Sequence, residues 1–208
     1  CLNGVSRVHI LDGNIDGVLP SEIFSDLGSG TMIYKSNYGG IRPMEQTDIP
    51  SVLAIQKPFV EAQKLLPRTE QQLSAELSDF IVYEVDGGVH ACAALHLYSD
   101  TGVGAGRGDS NVSGGGSECV CGWDQGEIAA VAVEQKFDHM GIGAKMIHFL
   151  IEKAKKQQLK SVFILTTQAA DVFEKLGFKP DDISTLPQKR KELWSPERNS
   201  KLFRLDLQ

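Results

Sequence analysis

The stretch of residues 126–143, GEIAAVAVEQKFDHMGIG, constrains the fold more than any other part of the chain. Its residues 128–133 form a short apolar run rich in Val, Ile and Ala, which predicts a buried strand. The chain then turns over residues 134–140, and from Ile142 onward apolar residues recur at helical spacing. The first amides of such a helix lack partners within it, and the helix dipole is positive at that end. The strand, turn and helix together therefore predict a site that favours an anion.

Composition and charge limit the classes of protein to which the chain can belong. Its 208 residues are enough for one full domain and part of another. A formal charge of −6 argues against a general nucleic-acid binder, because phosphate binding relies on a basic surface. No apolar run approaches membrane-spanning length and no signal-peptide pattern is present, so we expect no membrane partner. The chain begins with Cys1 rather than Met, which predicts either a processed protein or a fragment.

The four cysteines predict neither a disulfide framework nor a metal site. One lies in an apolar, strand-like run, and two are separated by a single residue, which is not the Cys-x-x-Cys spacing of a zinc site. We therefore expect no metal and a reducing compartment, either the cytoplasm or, in a eukaryote, an organelle matrix such as that of a plastid or mitochondrion. The cysteines are Cys1, Cys92, Cys119 and Cys121.

Residues 1–33 have the pattern of a short piece of a larger domain. A strand-like run at residues 8–11 is followed by a turn at Asp12-Gly13, a short helix around residues 19–24 and a glycine-rich turn at residues 28–31. About thirty residues cannot bury a stable core of their own, yet the apolar pattern is too regular for a disordered tail. We therefore predict a C-terminal remnant of a larger domain at residues 1–33, a linker at residues 34–40 and a new unit at residues 41–208.

The second unit begins with two predicted helices and a hairpin. Asp48 is a candidate cap for a helix that ends at Pro58. Thr69, with Gln72 three residues further on, is placed to cap a helix over residues 69–77. Strands over residues 80–85 and 89–97 are joined by an Asp-Gly-Gly sequence, which is a strong hairpin signal.

The rest of this unit alternates strands with helices and contains a long insertion. Residues 99–125 are rich in glycine and serine and lack periodicity, which predicts a flexible insertion in the turn of a strand pair. We expect a buried strand over residues 161–167, a short helix over residues 169–176 and an irregular segment through Pro187. The basic run at residues 189–191 is expected to be a solvated helix face, and a final strand covers residues 201–207.

The turn after the central strand resembles the acetyl-CoA pyrophosphate loop of the GCN5-related N-acetyltransferases (GNAT), whose motif is Arg or Gln, two residues, Gly, one residue, and Gly or Ala. Gly141 and Gly143 match this motif, but Asp138 stands at the Arg/Gln position. The resemblance implies that backbone amides hold the pyrophosphate while the Asp138 side chain turns to solvent. A simple tight turn is the alternative on this stretch alone. The amides concerned belong to His139, Met140, Gly141, Ile142, Gly143 and Ala144.

The order of elements from residue 41 matches the acetyltransferase fold, which implies an α/β (α+β) domain with a mixed central sheet flanked by helices. Five segments further resemble the acetyltransferase domain of the N-acetylglutamate synthase family. Residues 1–33 resemble the end of the amino-acid-kinase-like domain that precedes it in that family, and the resemblance implies a homo-oligomer for the full-length protein. The five segments are ACAAL at residues 91–95, GEIA at 126–129, LTT at 165–167, FEKLGF at 173–178 and RNSK at 198–201.

In arginine-regulated members of that family, the end of the kinase-like domain contacts the inhibitor. The matching positions are Glu22, Gly28 and Gly30. A carboxylate and exposed carbonyls suit a guanidinium, so the resemblance implies arginine inhibition of the full-length protein. The alternative for Glu22 is an ordinary solvated helix residue.

The family transfers the acetyl group of acetyl-CoA to the α-amine of L-glutamate, the first step of arginine biosynthesis. The resemblance gives Glu127 the role of general base, because the ammonium must lose a proton before it attacks. Thr166 matches the group proposed to protonate the leaving thiolate, and a structural role is an equal alternative for so weak an acid. The tyrosine that many related enzymes use for this step falls at Phe173, which cannot donate a proton.

Two arginines match the positions that bind the two carboxylates of glutamate. Arg68 lies in a loop just before a helix and Arg198 lies in the RNSK segment. Each guanidinium can hold one carboxylate through two charge-assisted hydrogen bonds. The resemblance adds Ser200 and the backbone of Leu66 and Ala130 as further substrate contacts. It also implies that strand amides polarise the acetyl carbonyl, as an oxyanion site does, and these belong to Val131, Ala132 and Val133.

Three departures from the family pattern leave other functions open. Besides Asp138, Pro67 replaces a residue that is often basic, and Gln168 stands where Arg is common. One alternative is an acetyltransferase for another small amine. The other is a catalytically silent regulatory or binding homologue.

Overall fold

The computed structural model describes residues 5, 7–25, 28–34, 39–99, 124–167, 170–195 and 198–207. The insertion predicted at residues 99–125 lies almost entirely outside the described residues, as do Gln168, most of the predicted linker and three of the four cysteines. The chain divides into two compact units, residues 1–40 and residues 41–208.

In its described residues, the first unit contains two strands and one helix. Strand β1 (Arg7–Ile10) and helix α1 (Val18–Phe24) lie where the sequence predicted them, whereas strand β2 (Thr31–Tyr34) was not predicted. The two strands pair antiparallel, with Arg7 opposite Tyr34 and Ile10 opposite Thr31. No residue of these three elements is buried.

The second unit is built on a seven-stranded sheet. In chain order its elements are β3 (Gly39–Pro43), α2 (Ile49–Glu61), α3 (Glu70–Ala75), β4 (Phe80–Val85), β5 (Gly88–Tyr98), β6 (Gln125–Val133), α4 (Ile142–Lys156), β7 (Ser161–Thr166), α5 (Ala170–Lys175), β8 (Lys179–Asp181), α6 (Gln188–Glu192) and β9 (Lys201–Asp206). Short 3-10 helices lie at Gln46–Asp48, Leu77–Asp79, Gln135–Met140 and Ile183–Thr185. The strands lie in the sheet in the order β3-β4-β5-β6-β7-β9-β8. Strands β6 and β7 are parallel, whereas β4 with β5, β5 with β6, β7 with β9 and β8 with β9 are antiparallel, so the sheet is mixed as predicted.

Helices α2 and α4 cover opposite faces of this sheet. Successive side chains of a strand point to opposite faces, and Val82 of β4 packs in a core with α2, whereas the next residue, Tyr83, has the Lys145 ammonium of α4 5.2 Å from its ring centroid. Helix α4 begins at Ile142 as predicted and buries one apolar stripe along its length. The stripe consists of Ile142, Met146, Ile147, Leu150, Ile151 and Ala154.

Local signals at helix ends and at the hairpin account for several of these boundaries. The predicted cap of α3 is confirmed, because the Gln72 amide donates to Thr69 Oγ1 at 3.2 Å and the Thr69 amide donates to Gln72 Oε1 at 2.9 Å. The hairpin between β4 and β5 is also confirmed, and its two turn residues, Asp86 and Gly87, have φ angles of 49° and 82°.

Two predictions about α2 are wrong. The helix does not end at Pro58 but continues to Glu61. Pro58 cannot donate to the carbonyl of Ala54, but Ala54 is exposed, so water can satisfy that carbonyl. Asp48 makes no side-chain cap to α2; its carboxylate instead accepts two bonds from Arg42, at 2.6 Å and 2.9 Å, and stays buried.

Two strands at the edges of the sheet were missed by the sequence analysis. Strand β3 begins within the predicted linker, and β8 lies in the segment predicted to be irregular. Strand β8 has only three residues and contains Pro180, which is tolerated because the strand lies at the sheet edge. Such short strands show no alternation that a sequence pattern could report.

Candidate active site

Strands β6 and β7 separate into a wedge at the centre of the sheet. They pair only between Gln125–Glu127 and Ser161–Phe163, although β6 continues to Val133 and β7 to Thr166. Beyond Glu127, the β7-facing edge of β6 pairs with no strand in the described part of the chain. The backbone N–H and C=O groups along this edge are therefore free to bind an extended ligand, as at any open sheet edge.

A bulge in β6 helps to open the wedge. Ala94 of β5 lies opposite Ala129 but Cys92 lies opposite Ala132, so β6 holds one extra residue here. Ala130 has a φ of 54°, a left-handed conformation that costs a non-glycine residue on the order of 1 kcal/mol. The buried Cys92 thiol donates to the Ala130 carbonyl at 3.5 Å, and burial raises the pKa of Cys92 to about 11, which keeps this donor protonated.

Glu127 lies at the apex of the wedge, as the last residue of β6 that pairs with β7. It is only 5% exposed. Arg190 of α6 places its Nε 2.9 Å and 2.8 Å from the two carboxylate oxygens, and the Tyr98 hydroxyl donates to Oε2 at 2.9 Å. Burial and the adjacent Glu127 carboxylate raise the pKa of Tyr98, so the tyrosine is a protonated donor. The carboxylate is thus held by two donors in a nearly dry position.

The contact with Arg190 corrects the prediction that residues 189–191 form a solvated helix face. Lys189 is exposed, but the side chain of Arg190 is mostly buried against Glu127. The two residues are 63 positions apart, and nothing in the basic run itself distinguishes Arg190 from its neighbours. Tyr98 was missed as well, although it lies two positions after His96, the residue of β5 that faces Glu127 in the register.

Arg68 lies on the same face of the sheet as Glu127. Its guanidinium carbon lies 5.6 Å from the ring centroid of Phe80, and the Phe80 ring contacts His96, the register partner of Glu127, at 6.2 Å between centroids. Arg68 Nε lies 3.7 Å from an oxygen of Glu76, too far for a hydrogen bond. That buried oxygen has no hydrogen-bond partner, so the arginine is held loosely by a carboxylate of its own chain.

Arg198 reaches the loop that carries Arg68. Its Nη2 donates at long range to the carbonyls of Gln63 and Lys64, at 3.5 Å and 3.4 Å. The same loop, which joins α2 to α3, also contains the exposed Leu66. The structure therefore brings both predicted carboxylate-binding arginines to one loop.

Thr166, Ser200 and Phe173 lie at the other side of the wedge. Thr166 ends β7 opposite Lys201, which directly follows Ser200. Ser200 lines an open groove of about 380 Å³ beside α5 and β8, and that groove is not lined by Glu127 or by either arginine. Phe173 is buried and packs edge-on against Phe178 at 6.0 Å, so it serves the core.

The predicted anion-binding turn has the expected backbone geometry. Gly141 has a φ of 69°, which favours glycine, and the Lys145 amide donates to its carbonyl as the first hydrogen bond of α4. The amides of the three residues between them therefore have no partner within the helix. A side-chain carbon at Gly143 would lie 3.6 Å from Val133, an ordinary contact, so space does not require glycine there. Asp138, His139 and Met140 are exposed.

In the first unit, Glu22 joins the other two predicted regulatory positions. Its carboxylate accepts from the amides of Ser29 and Gly30 at 2.6 Å and 3.1 Å, and it lies 2.5 Å from His9 Nδ1. The contact with His9 and these amide bonds lower the pKa of Glu22. A side chain at Gly28 would meet the same carboxylate at 2.5 Å. Glu22, Gly28 and Gly30 are thus neighbours, with the carboxylate already bound within its own unit.

Among the described residues, no helix is long and apolar enough to cross a bilayer. The same part of the chain contains no group of three His, Cys, Asp or Glu side chains that could hold a metal ion.

Comparison with known proteins identifies the family. A family model described as "Acetyltransferase (GNAT) family" matches residues 48–178. The chain belongs to the GNAT family. The wedge in this GNAT sheet and the turn before α4 both lie within the matched residues.

Several relatives of this GNAT chain act on amino acids according to their names. It is 31% identical over 207 residues to an amino-acid acetyltransferase from Pseudomonas fluorescens, a match that covers all of this chain and 43% of the relative. N-acetylglutamate synthase from Neisseria gonorrhoeae, complexed with coenzyme A and N-acetyl-glutamate, is 31% identical with a TM-score of 0.69, over 99% of this chain and 43% of that one. The same synthase complexed with coenzyme A and L-arginine is 30% identical with a TM-score of 0.75, over 98% and 41%. The chain spans less than half the length of these relatives.

Proposed function

We propose that this chain transfers the acetyl group of acetyl-CoA to the α-amine of L-glutamate, giving N-acetyl-L-glutamate and CoA, with Glu127 as the general base. The observation that carries the proposal is the buried carboxylate at the apex of the wedge between β6 and β7. The likeness to a synthase complexed with coenzyme A and N-acetyl-glutamate supports the choice of acetyl-CoA as donor and L-glutamate as acceptor.

The open edge of β6 and the start of α4 suit the two ends of acetyl-CoA. The amides of Val131, Ala132 and Val133 lie along the β6 segment beyond the paired apex, where they would align the thioester and polarise its carbonyl. The unpaired amides after Gly141 would bind the pyrophosphate through the positive end of the helix. The exposed Asp138 side chain leaves these amides unobstructed.

Two arginines would bind the two carboxylates of glutamate. In the described part of the chain, the charged partner of Arg68 is Glu76, at 3.7 Å, and Arg198 makes long bonds to two carbonyls, so a ligand carboxylate can displace both sets of partners at small cost. Backbone groups of Leu66 and Ala130, and the Ser200 hydroxyl, are proposed as additional contacts. Binding both carboxylates leaves the α-amine as the group that can face the thioester.

Glu127 would then remove the proton that prevents attack. The ammonium gives one proton to the carboxylate, and the neutral amine nitrogen forms a bond to the thioester carbon. The tetrahedral intermediate then carries one proton too many on its nitrogen. As it collapses, the bond between carbon and sulfur breaks, the nitrogen loses this proton and the thiolate of CoA takes one up, while the proton on Glu127 passes to solvent. Thr166 is proposed to give its hydroxyl proton to the sulfur and to regain one from the nitrogen, directly or through a water.

The first unit is proposed to be the C-terminal remnant of an amino-acid-kinase-like domain, with the segment between β2 and β3 as its linker to the acetyltransferase domain. In the full-length protein, Glu22, Gly28 and Gly30 would contact arginine as an inhibitor, and the full-length chain would be a homo-oligomer in the cytoplasm or an organelle matrix. The likeness to a synthase complexed with L-arginine supports the proposal that the full-length protein binds arginine.

A screen of amino acids for acetyl-CoA-dependent release of free thiol tests the proposed reaction. We expect the fastest release with L-glutamate and little with L-glutamine, which lacks the second carboxylate. Faster release with another amine would identify that amine, in place of glutamate, as the acceptor. No release with any amine, in a protein that binds acetyl-CoA, would indicate a silent homologue.

A further inference from the structure

The Glu127 carboxylate is held by two groups that come from other elements of the unit. Arg190 Nε of α6 donates to both oxygens at 2.9 Å and 2.8 Å, and the Tyr98 hydroxyl of β5 donates to Oε2 at 2.9 Å. The side chains of Glu127 and Arg190 are only 6% and 12% exposed. Water therefore screens this ion pair much less than it screens a pair on the surface.

The position of Arg190 is set by the core. Helix α6 has five residues and follows Leu186 and Pro187, which are both buried. Leu186 packs in a small core with Phe163, the residue of β7 that lies beside Glu127 in the register. The core that fixes the start of α6 is thus the core that flanks the apex of the wedge.

The other charged groups around this face are engaged elsewhere. Three neighbouring basic side chains each have an acidic partner, and among the described residues the cation that contacts Glu127 is Arg190. The three pairs are Arg68 with Glu76 at 3.7 Å, His96 with Asp79 at 3.2 Å and Arg204 with Asp181 at 2.6 Å. The Glu76 carboxylate also lies close enough to Tyr98 to contribute to its raised pKa.

We propose that Arg190 is a positioning residue for acetyl transfer, because its guanidinium, together with the Tyr98 hydroxyl, fixes the Glu127 carboxylate at the apex of the wedge and directs one oxygen toward the incoming amine. The proposal rests on the proposed role of Glu127 as base. A carboxylate has about four acceptor positions. Arg190 occupies one on each oxygen and Tyr98 occupies the second on Oε2, so the open position is on Oε1.

The ion pair has a second consequence, for the pH at which the base works. Burial disfavours the charged form of a carboxyl group, and a guanidinium within hydrogen-bond distance favours it. Removal of the guanidinium leaves burial unopposed, so Glu127 would stay protonated to higher pH. The acid limb of the pH–rate profile should then move to higher pH.

The test compares the pH dependence of kcat/KM for L-glutamate among four variants and the unchanged protein. We expect Arg190→Gln to move the acid limb upward by about one pH unit and to lower kcat, with KM for acetyl-CoA changed by less than about twofold. Arg190→Lys keeps the charge, so its acid limb should lie close to that of the unchanged protein. Tyr98→Phe removes a neutral donor and should move the acid limb to higher pH by less than Arg190→Gln does. Lys189→Gln removes a charge from the same helix without contacting Glu127 and should leave the limb in place.

An acid limb that stays in place in Arg190→Gln, or that moves equally in Lys189→Gln, overturns the proposal. A second readout does not need turnover: the carbon-13 resonance of the Glu127 carboxyl carbon, assigned by its loss in Glu127→Gln, should titrate at higher pH in Arg190→Gln than in the unchanged protein. If the unchanged protein releases no thiol, the proposed function fails by itself. The carbon-13 titration still tests whether Arg190 fixes the Glu127 carboxylate. Equal titration in Arg190→Gln and in the unchanged protein would contradict the proposal.

Discussion

The two units bury similar apolar residues to very different extents. In the first unit, Phe24 and Ile23 are 87% and 63% exposed, whereas in the second Phe80 and Leu150 are fully buried. Two paired strands and one helix cannot cover both faces of an element, whereas a seven-stranded sheet with helices on both faces can. Burial therefore depends on the number of layers, and the exposed apolar side chains of residues 7–34 fit the proposal that this unit completes a larger domain in the full-length protein.

The same difference separates the chemistry of the two units. Glu127 and Glu22 are both carboxylates with several donors, but Glu127 lies at the apex of an open sheet edge and Glu22 lies in a small cluster beside a turn. An open edge offers a ligand a row of backbone groups, which the cluster does not. The following predictions compare substitutions in the two units and then the loss of the first unit.

The largest expected effect is on catalysis at Glu127. Glu127→Gln keeps the shape of the side chain but cannot accept a proton from the amine, so kcat should fall by about 10²–10⁴-fold. Glu22→Gln in the first unit should leave kcat unchanged. Steady-state thiol release measures kcat in both variants. An equal loss of kcat in the two would contradict the role of Glu127 as general base.

The second effect concerns stability. Leu150→Ala removes a fully buried side chain from α4 and should lower the free energy of unfolding by about 2–5 kcal/mol. Phe24→Ala removes a larger side chain from an exposed position and should change it by less than about 0.5 kcal/mol. Urea denaturation of both variants checks the contrast. A comparable loss in Phe24→Ala would show that the first unit buries this residue in solution.

The third effect concerns glutamate binding. Arg198→Ala should raise KM for glutamate by roughly 30-fold, or about 2 kcal/mol, because a carboxylate of the ligand loses its partner. The effect is at the low end for a charge pair because Arg198 is only half-buried. KM for acetyl-CoA should change by much less. Arg7→Ala removes an arginine from the first unit and serves as the control. Equal increases for both substrates would contradict the assignment of Arg198.

The smallest effect is expected from removal of the first unit. A chain that starts at Gly39 keeps all of β3, so its kcat/KM should stay within about threefold of the longer chain, a difference of roughly 0.7 kcal/mol. The measurement is kcat/KM for both substrates in the two chains. A larger loss would place part of the site, or of its support, in residues 1–38.

The sequence predicts those elements that have a long or locally encoded signal. Helix α4 has fifteen residues with one apolar stripe, and the Thr69 cap and the Asp86-Gly87 turn are specified by neighbouring residues. Strands β3 and β8 are too short for a period to emerge. The continuation of α2 through Pro58 depends on whether water reaches one carbonyl, which sequence spacing does not report.

For the candidate site, resemblance to a family names residues, but geometry shows what they contact. Glu127, Arg68 and Arg198 were named in advance, and the structure places them on or near one face of the sheet. The partners of Glu127 could not be named, because Arg190 comes from 63 positions further along the chain and reaches the carboxylate only through the packing of α6. Long-range contacts of this kind are set by tertiary structure, not by a local pattern.

The most direct test of the account is isothermal titration of acetyl-CoA into the protein. We expect one site per chain with a dissociation constant below about 1 mM, retained in Glu127→Gln because the base is not needed for binding. Gly141→Val should weaken binding at least about tenfold, because a β-branched residue does not tolerate the φ of 69°, whereas Gly143→Ala should bind nearly as well as the unchanged protein. Absence of binding in the folded protein at about 1 mM acetyl-CoA would contradict the proposal that the wedge and the turn before α4 form an acetyl-CoA site.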